Sequence, residues 1–211
     1  MAKRKQSFAP HEFYHVYNRG TDKRVIFEDA KDYTHFLFLM YACNSTKSIE
    51  IRNIQKDFDP GETLVDIGAY CLMPNHFHIL IHEKNDNGIS KYMLKLLTAY
   101  TMYFNKKYKR TGKLYEGVFK SSHVDTDTYL RYIYSYIHLN PAKLINSRWK
   151  EHTNRNSSEL LTYILSYPYS SIQEYKNNAF SILYTKPFPS YFEKIHDHKK
   201  ELFDWLTLDP Q

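Results

Sequence analysis

Hydrophobic and polar residues follow two different periods along the chain, and these periods predict its secondary structure. Short segments with the alternation and apolar content of strands are bounded by turn residues, and we predict four strands, at residues 12–17, 64–71, 76–82 and 118–124. Longer segments have apolar residues at helical spacing, and we predict two helices, at residues 28–41 and 89–108. Asp125-Thr126-Asp127 has the residue types of an N-cap and predicts the start of a third helix.

The order of these elements predicts the fold class. The order β-α-β-β-α-β is that of the ferredoxin-like split motif. We therefore predict an α+β fold in which an antiparallel sheet carries helices on one face, with the strand at residues 76–82 in the centre. Beyond Pro141 the pattern indicates further helices, the last a charged amphipathic one at residues 191–206. This predicts a domain at residues 1–145 and a mainly helical C-terminal extension at residues 146–211 packed on it.

One predicted strand carries a pair of histidines with a common orientation. Side chains at positions i and i+2 of a strand share a face, so His76 and His78 point the same way. Neutral imidazoles on one rigid face supply ligands for a divalent metal and leave other positions open. A pair of hydrogen-bonded structural histidines is the alternative, and this short pattern does not choose between them. His82 shares the face but lies at the far end, too distant to be a ligand.

The third predicted helix carries a phenol and an amide on one face. Pro141 disfavours the helical conformation at Asn140, so we predict that the helix stops there. Tyr136 and Asn140 are spaced i, i+4 and therefore lie about one turn apart on the same face. Tyr129 and Tyr132 also share that face, so periodicity alone does not choose among the three tyrosines.

Taken together, these motifs resemble a known family. In order along the chain, the matching segments are Met73 to His78, Leu114 to Ser121 and Tyr136 to Pro141. Their combination resembles the HUH-type single-tyrosine transposases of bacterial insertion sequences, including the REP-associated tyrosine transposases. The resemblance runs from about Tyr14 to Ile145. This chain has Glu116 and Val118 at positions where relatives often carry Gln and Arg.

The resemblance implies an activity and its residues. It implies that Tyr136 is the nucleophile, that His76 and His78 are metal ligands, and that Asn140 is the third ligand. It further implies an enzyme that cleaves and rejoins single-stranded or hairpin DNA through a 5′-phosphotyrosine intermediate. The divalent metal would be Mg²⁺ or Mn²⁺, since mixed imidazole and oxygen ligation suits either ion. Relatives include both dimers and monomers, so the resemblance allows a homodimer and does not choose between the two states.

The charge balance suits a nucleic-acid partner without proving one. The chain has 29 Lys and Arg against 23 Asp and Glu, and the excess of +6 favours a polyanionic ligand. Lysines at the end of the helix at 89–108 also complement its dipole, which is the structural alternative. The candidate DNA contacts are Asn18, Arg19, Lys106, Lys107, Lys109, Arg110, Lys120 and Arg131.

The remaining features concern the compartment and the alternative functions. Cys43 and Cys71 lie in apolar contexts and indicate reduced core thiols of a cytoplasmic protein. The segment Met1 to Gln6 contains three basic residues, but no apolar segment follows it, so we predict no secretory signal and no membrane partner. A non-cleaving nucleic-acid-binding protein of the same fold is the main alternative function. A hydrolase that uses water instead of a tyrosine is a weaker one.

Overall fold

The computed structural model describes residues 7–48, 50, 54, 58–149, 156–179, 181–189 and 195–207. The basic segment 1–6 and the first part of the helix predicted at 191–206 lie outside the described residues. The strands are β1 (Phe13–Arg19), β2 (Val65–Met73), β3 (His76–Glu83) and β4 (Lys120–Val124). The helices are α1 (Ala30–Ala42), α2 (Gly88–Lys107), α3 (Asp127–Leu139), α4 (Ala142–Ile145), α5 (Ser157–Ser166), α6 (Ile172–Asn177) and α7 (Ile195–Thr207).

The strands form one antiparallel sheet in the order β2-β3-β1-β4. The α+β class and the βαββαβ order are confirmed, and β3 is central as predicted. In the register of β1 against β3, Tyr17 lies opposite His78 and Arg19 lies opposite His76. The end of β1 is therefore placed beside the two histidines.

The sequence predicts helices on one face of the sheet, whereas helices cover both faces, because α3 packs on the side that the split motif leaves open. The helices of the split motif, α1 and α2, pack on the face that carries Phe77, whose ring centroid lies 5.3 Å from that of Phe36. Tyr100 of α2 packs edge-on against Phe36 at 4.9 Å. The helix that follows the motif, α3, packs on the opposite face, where Tyr136 meets His78 at 5.4 Å between ring centroids. Side chains alternate along β3, so one strand serves both a core and a polar site.

α3 ends where the sequence predicts, but the backbone of Asn140 differs from the prediction. α3 stops just before Asn140, but Asn140 itself keeps helical angles (φ −54°, ψ −38°), and so does Pro141 (φ −58°, ψ −24°). Three hydrogen bonds outweigh the preference that a following proline imposes. Asn140 Nδ2 donates to Tyr136 O at 2.8 Å, Asn140 N donates to Ile137 O at 3.4 Å, and Lys143 N donates to Asn140 O at 3.1 Å. The chain therefore continues directly into α4.

The C-terminal residues cover the outer edge of β2 and pack against α3. Leu72 N donates to Tyr169 O, and Ser171 N donates to Tyr70 O, so a later segment satisfies an edge that would otherwise be open. A second small core joins the end of α3 to α4, α5, α6 and α7. Its buried members are Leu139, Ala142, Trp149, Leu160, Ile164, Ile172, Leu202 and Leu206.

Cys43 and Cys71 are both buried and free, which agrees with the prediction of core thiols. Burial raises the pKa of Cys43 to about 11, so this thiol stays protonated at neutral pH. In the part of the chain that the structure describes, no helix has the length and apolar character needed to span a bilayer.

A buried carboxylate ties α1 to the end of α2. Asp32 is fully buried, and its oxygens accept hydrogen bonds from Lys107 Nζ at 2.6 Å, Tyr108 Oη at 2.8 Å and Tyr103 Oη at 3.1 Å. Lys107 also pairs with Asp29, the N-cap residue of α1, at 2.8 Å. Burial raises the pKa of Asp32, but the hydrogen bonds from Lys107 and Tyr108 outweigh it, and the net pKa lies below its usual value.

We expect Asp32→Asn to lower the free energy of unfolding by about 3 kcal/mol at pH 7, because it removes one partner of a buried ion pair. A carboxyl whose pKa is depressed by folding stabilises the protein above its unfolded pKa and loses that effect as pH falls through the folded pKa. The difference between wild type and Asp32→Asn should therefore shrink on acidification below pH 4. Urea denaturation at pH 7 and pH 3 measures it, with the exposed Asp22→Asn as control. An equal difference at both pH values would contradict this account.

Candidate active site

His76 and His78 lie on the same face at the start of β3, as their spacing predicts. Their ring centroids are 5.0 Å apart and their planes are nearly perpendicular, at 87°. His76 Nδ1 lies 2.6 Å from Asn75 Oδ1, and His78 Nδ1 lies 2.9 Å from His15 Nε2. An amide oxygen only accepts, so Nδ1 of His76 carries the proton and Nε2 keeps its lone pair. The tautomer of His78 in which Nδ1 donates to His15 Nε2 leaves the lone pair on Nε2 of His78 as well.

All three site histidines are neutral at physiological pH. Burial lowers the pKa of His15 to about 4, and burial lowers that of His76 to about 4 with help from the nearby charges of Lys143 and Arg19. The pKa of His78 is also lowered well below its usual value, first by burial and then by its neighbours. A neutral imidazole is the form that coordinates a metal ion.

Tyr136 presents its ring to these histidines from α3. Its centroid lies 5.4 Å from His78 and 6.0 Å from His15, with edge-to-face geometry in both cases. Burial raises the pKa of its phenol above the usual range, while a hydrogen bond with the Asn140 side chain acts in the opposite direction. Thr126 caps α3 by accepting a hydrogen bond from Tyr129 N, as the sequence predicts, and this cap starts the helix that delivers Tyr136.

The three tyrosines of α3 form a ladder that ends at the histidines. The ring centroids of Tyr129 and Tyr132 are 6.2 Å apart, with an angle of 14° between the ring planes. The centroids of Tyr132 and Tyr136 are 6.0 Å apart, with an angle of 25°. The ring of Tyr132 also packs edge-on against Trp205 of α7, with 5.4 Å between the ring centroids. Tyr136 is the member of the ladder whose ring contacts His78 and His15, so its position separates it from the other two.

Asn140 and Lys143 complete the site one turn beyond Tyr136. Asn140 is almost fully buried, and its Oδ1 accepts a hydrogen bond from Lys143 Nζ at 3.0 Å. Lys143 Nζ lies 5.3 Å from the centroid of the Tyr136 ring. Burial lowers the pKa of Lys143. The site therefore contains one ammonium among neutral groups.

Sequence reasoning missed His15, Asn75 and Lys143 as site residues. Asn75 directly precedes His76, but nothing in its spacing showed that it would fix that ring. His15 and Tyr17 alternate on β1, and a correct pairing of β1 with β3 would have placed them beside His78. The sequence did not predict Lys143 at the site, because we expected the helix to end at Asn140. In the structure, α4 follows directly and carries Lys143 back to the site.

A divalent metal fits this donor set. Among the described residues, no group of three or more His, Cys, Asp and Glu is arranged to hold an ion. His76 and His78 therefore need a third ligand of another type, and Asn140 Oδ1 is an oxygen donor at the same site. Ligating histidines usually donate their second ring nitrogen to a fixed acceptor, which is what Asn75 and His15 provide.

Two other histidines lie outside the site. His82 Nδ1 lies 3.0 Å from Asp66 Oδ2 at the far end of β3, consistent with the expectation that it is too distant to be a ligand. His138 is fully buried between helices, with Nε2 2.7 Å from Ser171 Oγ. His138 therefore packs α3 against the C-terminal residues.

An ion pair stands at the rim of the site. Arg19 Nη2 lies 2.8 Å from Glu116 Oε1, and Glu116 N donates to Arg19 O at 3.0 Å. Asn18 is buried, with Nδ2 donating to Gly117 O at 3.1 Å and Oδ1 accepting from Arg19 N at 2.9 Å. Asn18 thus anchors the loop that carries Glu116, while Arg19 is half-exposed.

Glu116→Gln is expected to strengthen binding of single-stranded DNA several-fold. The carboxylate neutralises Arg19, so its removal leaves a guanidinium available for a phosphate. An exposed ion pair of this kind contributes about 1 kcal/mol or less, so the protein should stay folded. Fluorescence anisotropy at several salt concentrations measures the change, with Glu159→Gln on α5 as the control. Weaker binding by Glu116→Gln would show that Arg19 needs its partner in order to contact DNA.

The other candidate DNA contacts are spread over the surface. Lys107 is held by Asp29 and Asp32 on the α1 and α2 face, and Arg131 pairs with Glu201 of α7. Contact of any candidate with DNA stays a prediction. The exposed candidates without an ion pair in the described residues are Lys106, Lys109 and Lys120, and Arg110 is half-buried over the Phe104 ring.

Comparisons with known proteins agree with this geometry. A comparison with curated proteins found no match. Among solved structures, a REP-associated tyrosine transposase bound to a REP hairpin matches with a TM-score of 0.53 at 12% identity, covering 87% of this chain and 91% of that chain. At that identity the match shows a shared fold. Residues 51–140, which include His76, His78, Tyr136 and Asn140, match the family model described as "Transposase IS200 like". This stretch of the chain is therefore similar to the IS200-like transposase family.

Proposed function

We propose that the protein is a metal-dependent tyrosine DNA transposase, a single-strand endonuclease and strand transferase that cleaves and rejoins single-stranded or hairpin DNA. The observation that carries the proposal is the contact of Tyr136 with His78, at 5.4 Å between ring centroids, beside a second neutral histidine. A protein that only binds DNA has no need of a half-buried phenol against imidazoles that are able to bind a metal. The hairpin bound to the solved structure of similar fold supports hairpin DNA as a substrate.

In the proposed reaction Tyr136 Oη attacks the scissile phosphorus. The new Oη–P bond replaces the bond from phosphorus to the 3′-oxygen, so the protein carries a 5′-phosphotyrosine and the DNA leaves with a 3′-hydroxyl. The phenol loses its proton and the leaving 3′-oxygen gains one. Attack of a 3′-hydroxyl on the phosphotyrosine reverses the step, and strand joining then needs no external energy source.

The surrounding residues hold the reacting groups in place. His76, His78 and Asn140 would hold Mg²⁺ or Mn²⁺, which supplies charge stabilisation at the phosphate oxygens when bound. His15 and Asn75 fix the orientation of the two imidazoles through their Nδ1 atoms. α3 fixes the ring of Tyr136, because its other side packs on the stacked ring of Tyr132.

The remaining assignments are extensions of this proposal. Arg19 and the exposed lysines Lys106, Lys109 and Lys120 would contact the DNA backbone, and aromatic rings would stack on unpaired bases. Residues 1–145 would form the transposase domain and residues 146–211 an extension that supports α3. Two buried thiols suit action in the cytoplasm. A homodimer remains a prediction from the family resemblance.

Trapping a covalent adduct tests the proposal. The protein is incubated with Mn²⁺ and labelled oligonucleotides that are single-stranded, hairpin or fully duplex, and denaturing gels reveal a stable protein–DNA species. We expect an adduct with single-stranded or hairpin DNA and little with plain duplex. The alternative, a non-cleaving nucleic-acid-binding protein of the same fold, predicts salt-dependent binding with no adduct on any substrate.

A further inference from the structure

Lys143 places a positive charge in the candidate active site, and its contacts among the described residues do not neutralise this charge. Its ammonium donates to Asn140 Oδ1 at 3.0 Å and lies 5.3 Å from the centroid of the Tyr136 ring. The side chain is half-buried. Within the described residues, no carboxylate lies at ion-pair distance from Lys143, in contrast to Lys107, which pairs with two.

The groups around this ammonium are neutral. The ammonium lies against the side-chain amide of Asn140 and the ring of Tyr136, and neither of these groups is a carboxylate. Cys71 is fully buried, and burial raises its pKa, so this thiol is neutral too. A partly buried cation without an anion is costly unless a ligand supplies the negative charge. The site therefore has a positive potential that suits a phosphate.

We propose that Lys143 binds the phosphate that Tyr136 attacks. Its hydrogen bond to Asn140 would form only when metal and DNA are absent. This inference rests on the proposed function. Asn140 Oδ1 is the oxygen that a bound divalent ion needs, and two cations on one amide oxygen repel each other. The flexible stem of a lysine allows its ammonium to leave Asn140 and to donate to a non-bridging phosphate oxygen beside Tyr136. There it stabilises the charge that develops as the Oη–P bond forms.

A purely structural role for Lys143 predicts the opposite effect on metal binding. If the ammonium only positions Asn140 as a ligand, its removal weakens binding of Mn²⁺. If it competes with the ion for Asn140 Oδ1, its removal strengthens binding of Mn²⁺. The affinity for the ion is measured without DNA, so it is independent of the cleavage reaction.

The experiment measures Mn²⁺ affinity by electron paramagnetic resonance and the rate of adduct formation on a single-stranded oligonucleotide. The variants are Lys143→Gln, Lys143→Arg and, as control, Lys91→Gln on the exposed side of α2. We expect Lys143→Gln to bind Mn²⁺ about ten-fold more tightly and to form adduct about a hundred-fold more slowly. Lys143→Arg should keep most of the rate because its charge remains, and Lys91→Gln should match wild type. Circular dichroism establishes that each variant is folded.

The possible outcomes separate this inference from the proposed function. Mn²⁺ affinity that is unchanged or weaker in Lys143→Gln, or an unchanged rate of adduct formation, overturns the role of Lys143 while leaving the transposase proposal intact. A wild-type protein that binds no Mn²⁺ and forms no adduct overturns both.

Discussion

Replacing Tyr136 with phenylalanine is expected to abolish the covalent protein–DNA adduct while leaving the fold and DNA binding intact. The substitution removes one hydroxyl and keeps the ring that packs against His78 and Tyr132. Loss of a covalent nucleophile removes the reaction itself, so adduct formation should fall by at least about a thousand-fold. Denaturing gels with a labelled oligonucleotide measure the adduct, and anisotropy measures binding by the same variant.

The tyrosine ladder of α3 offers matched controls for this result. Tyr129→Phe and Tyr132→Phe make the same chemical change one and two steps further from the histidines. Both should form adduct at close to the wild-type rate. Mass spectrometry of the trapped peptide identifies the modified residue. A nucleotide on Tyr129 or Tyr132, or an adduct in the Tyr136→Phe protein, would show that the proposed nucleophile is wrong.

Replacing His76 or His78 with alanine is expected to remove both metal binding and cleavage. Loss of even a residue that only orients a ligand lowers metal affinity or activity by about 10- to 100-fold, so loss of a ligand should exceed 100-fold. Binding to single-stranded DNA should change little, because phosphate contacts supply most of the affinity. Mn²⁺ titration followed by electron paramagnetic resonance measures the metal, and the adduct assay measures cleavage.

Two further histidine variants test how the loss of Mn²⁺ affinity depends on distance from the proposed metal site. His15→Ala removes the partner of His78 Nδ1 and should cost about 10- to 100-fold in Mn²⁺ affinity. His82→Ala changes a histidine of the same strand face that pairs with Asp66 at the far end, and it should bind Mn²⁺ as wild type does. Equal metal affinity in wild type, His76→Ala and His78→Ala would refute the ligand assignment.

Local patterns in the sequence determined the elements and much of the site. The spacing of His76 and His78 placed both on one face of β3, because side-chain direction in a strand depends only on whether positions are odd or even. The i, i+4 spacing placed Asn140 one turn beyond Tyr136 for the equivalent reason in a helix. Element order predicted the antiparallel sheet with β3 at its centre, since short connections limit the topologies available.

The tertiary structure decided which residues from distant segments meet at this site. His15 and His78 are 63 residues apart, and Arg19 and Glu116 are 97 apart, so no local pattern shows these contacts. The first contact arises from the register of β1 against β3. The second arises because Asn18 and Arg19 of β1 hydrogen-bond to the loop that carries Glu116. The packing of α3 on the histidine face then placed the ring of Tyr136, one of three tyrosines on the same helix face, against His78 and His15. Asn140 stays helical before a proline because local hydrogen bonds outweigh the backbone preference, and the chain then continues into α4, which carries Lys143.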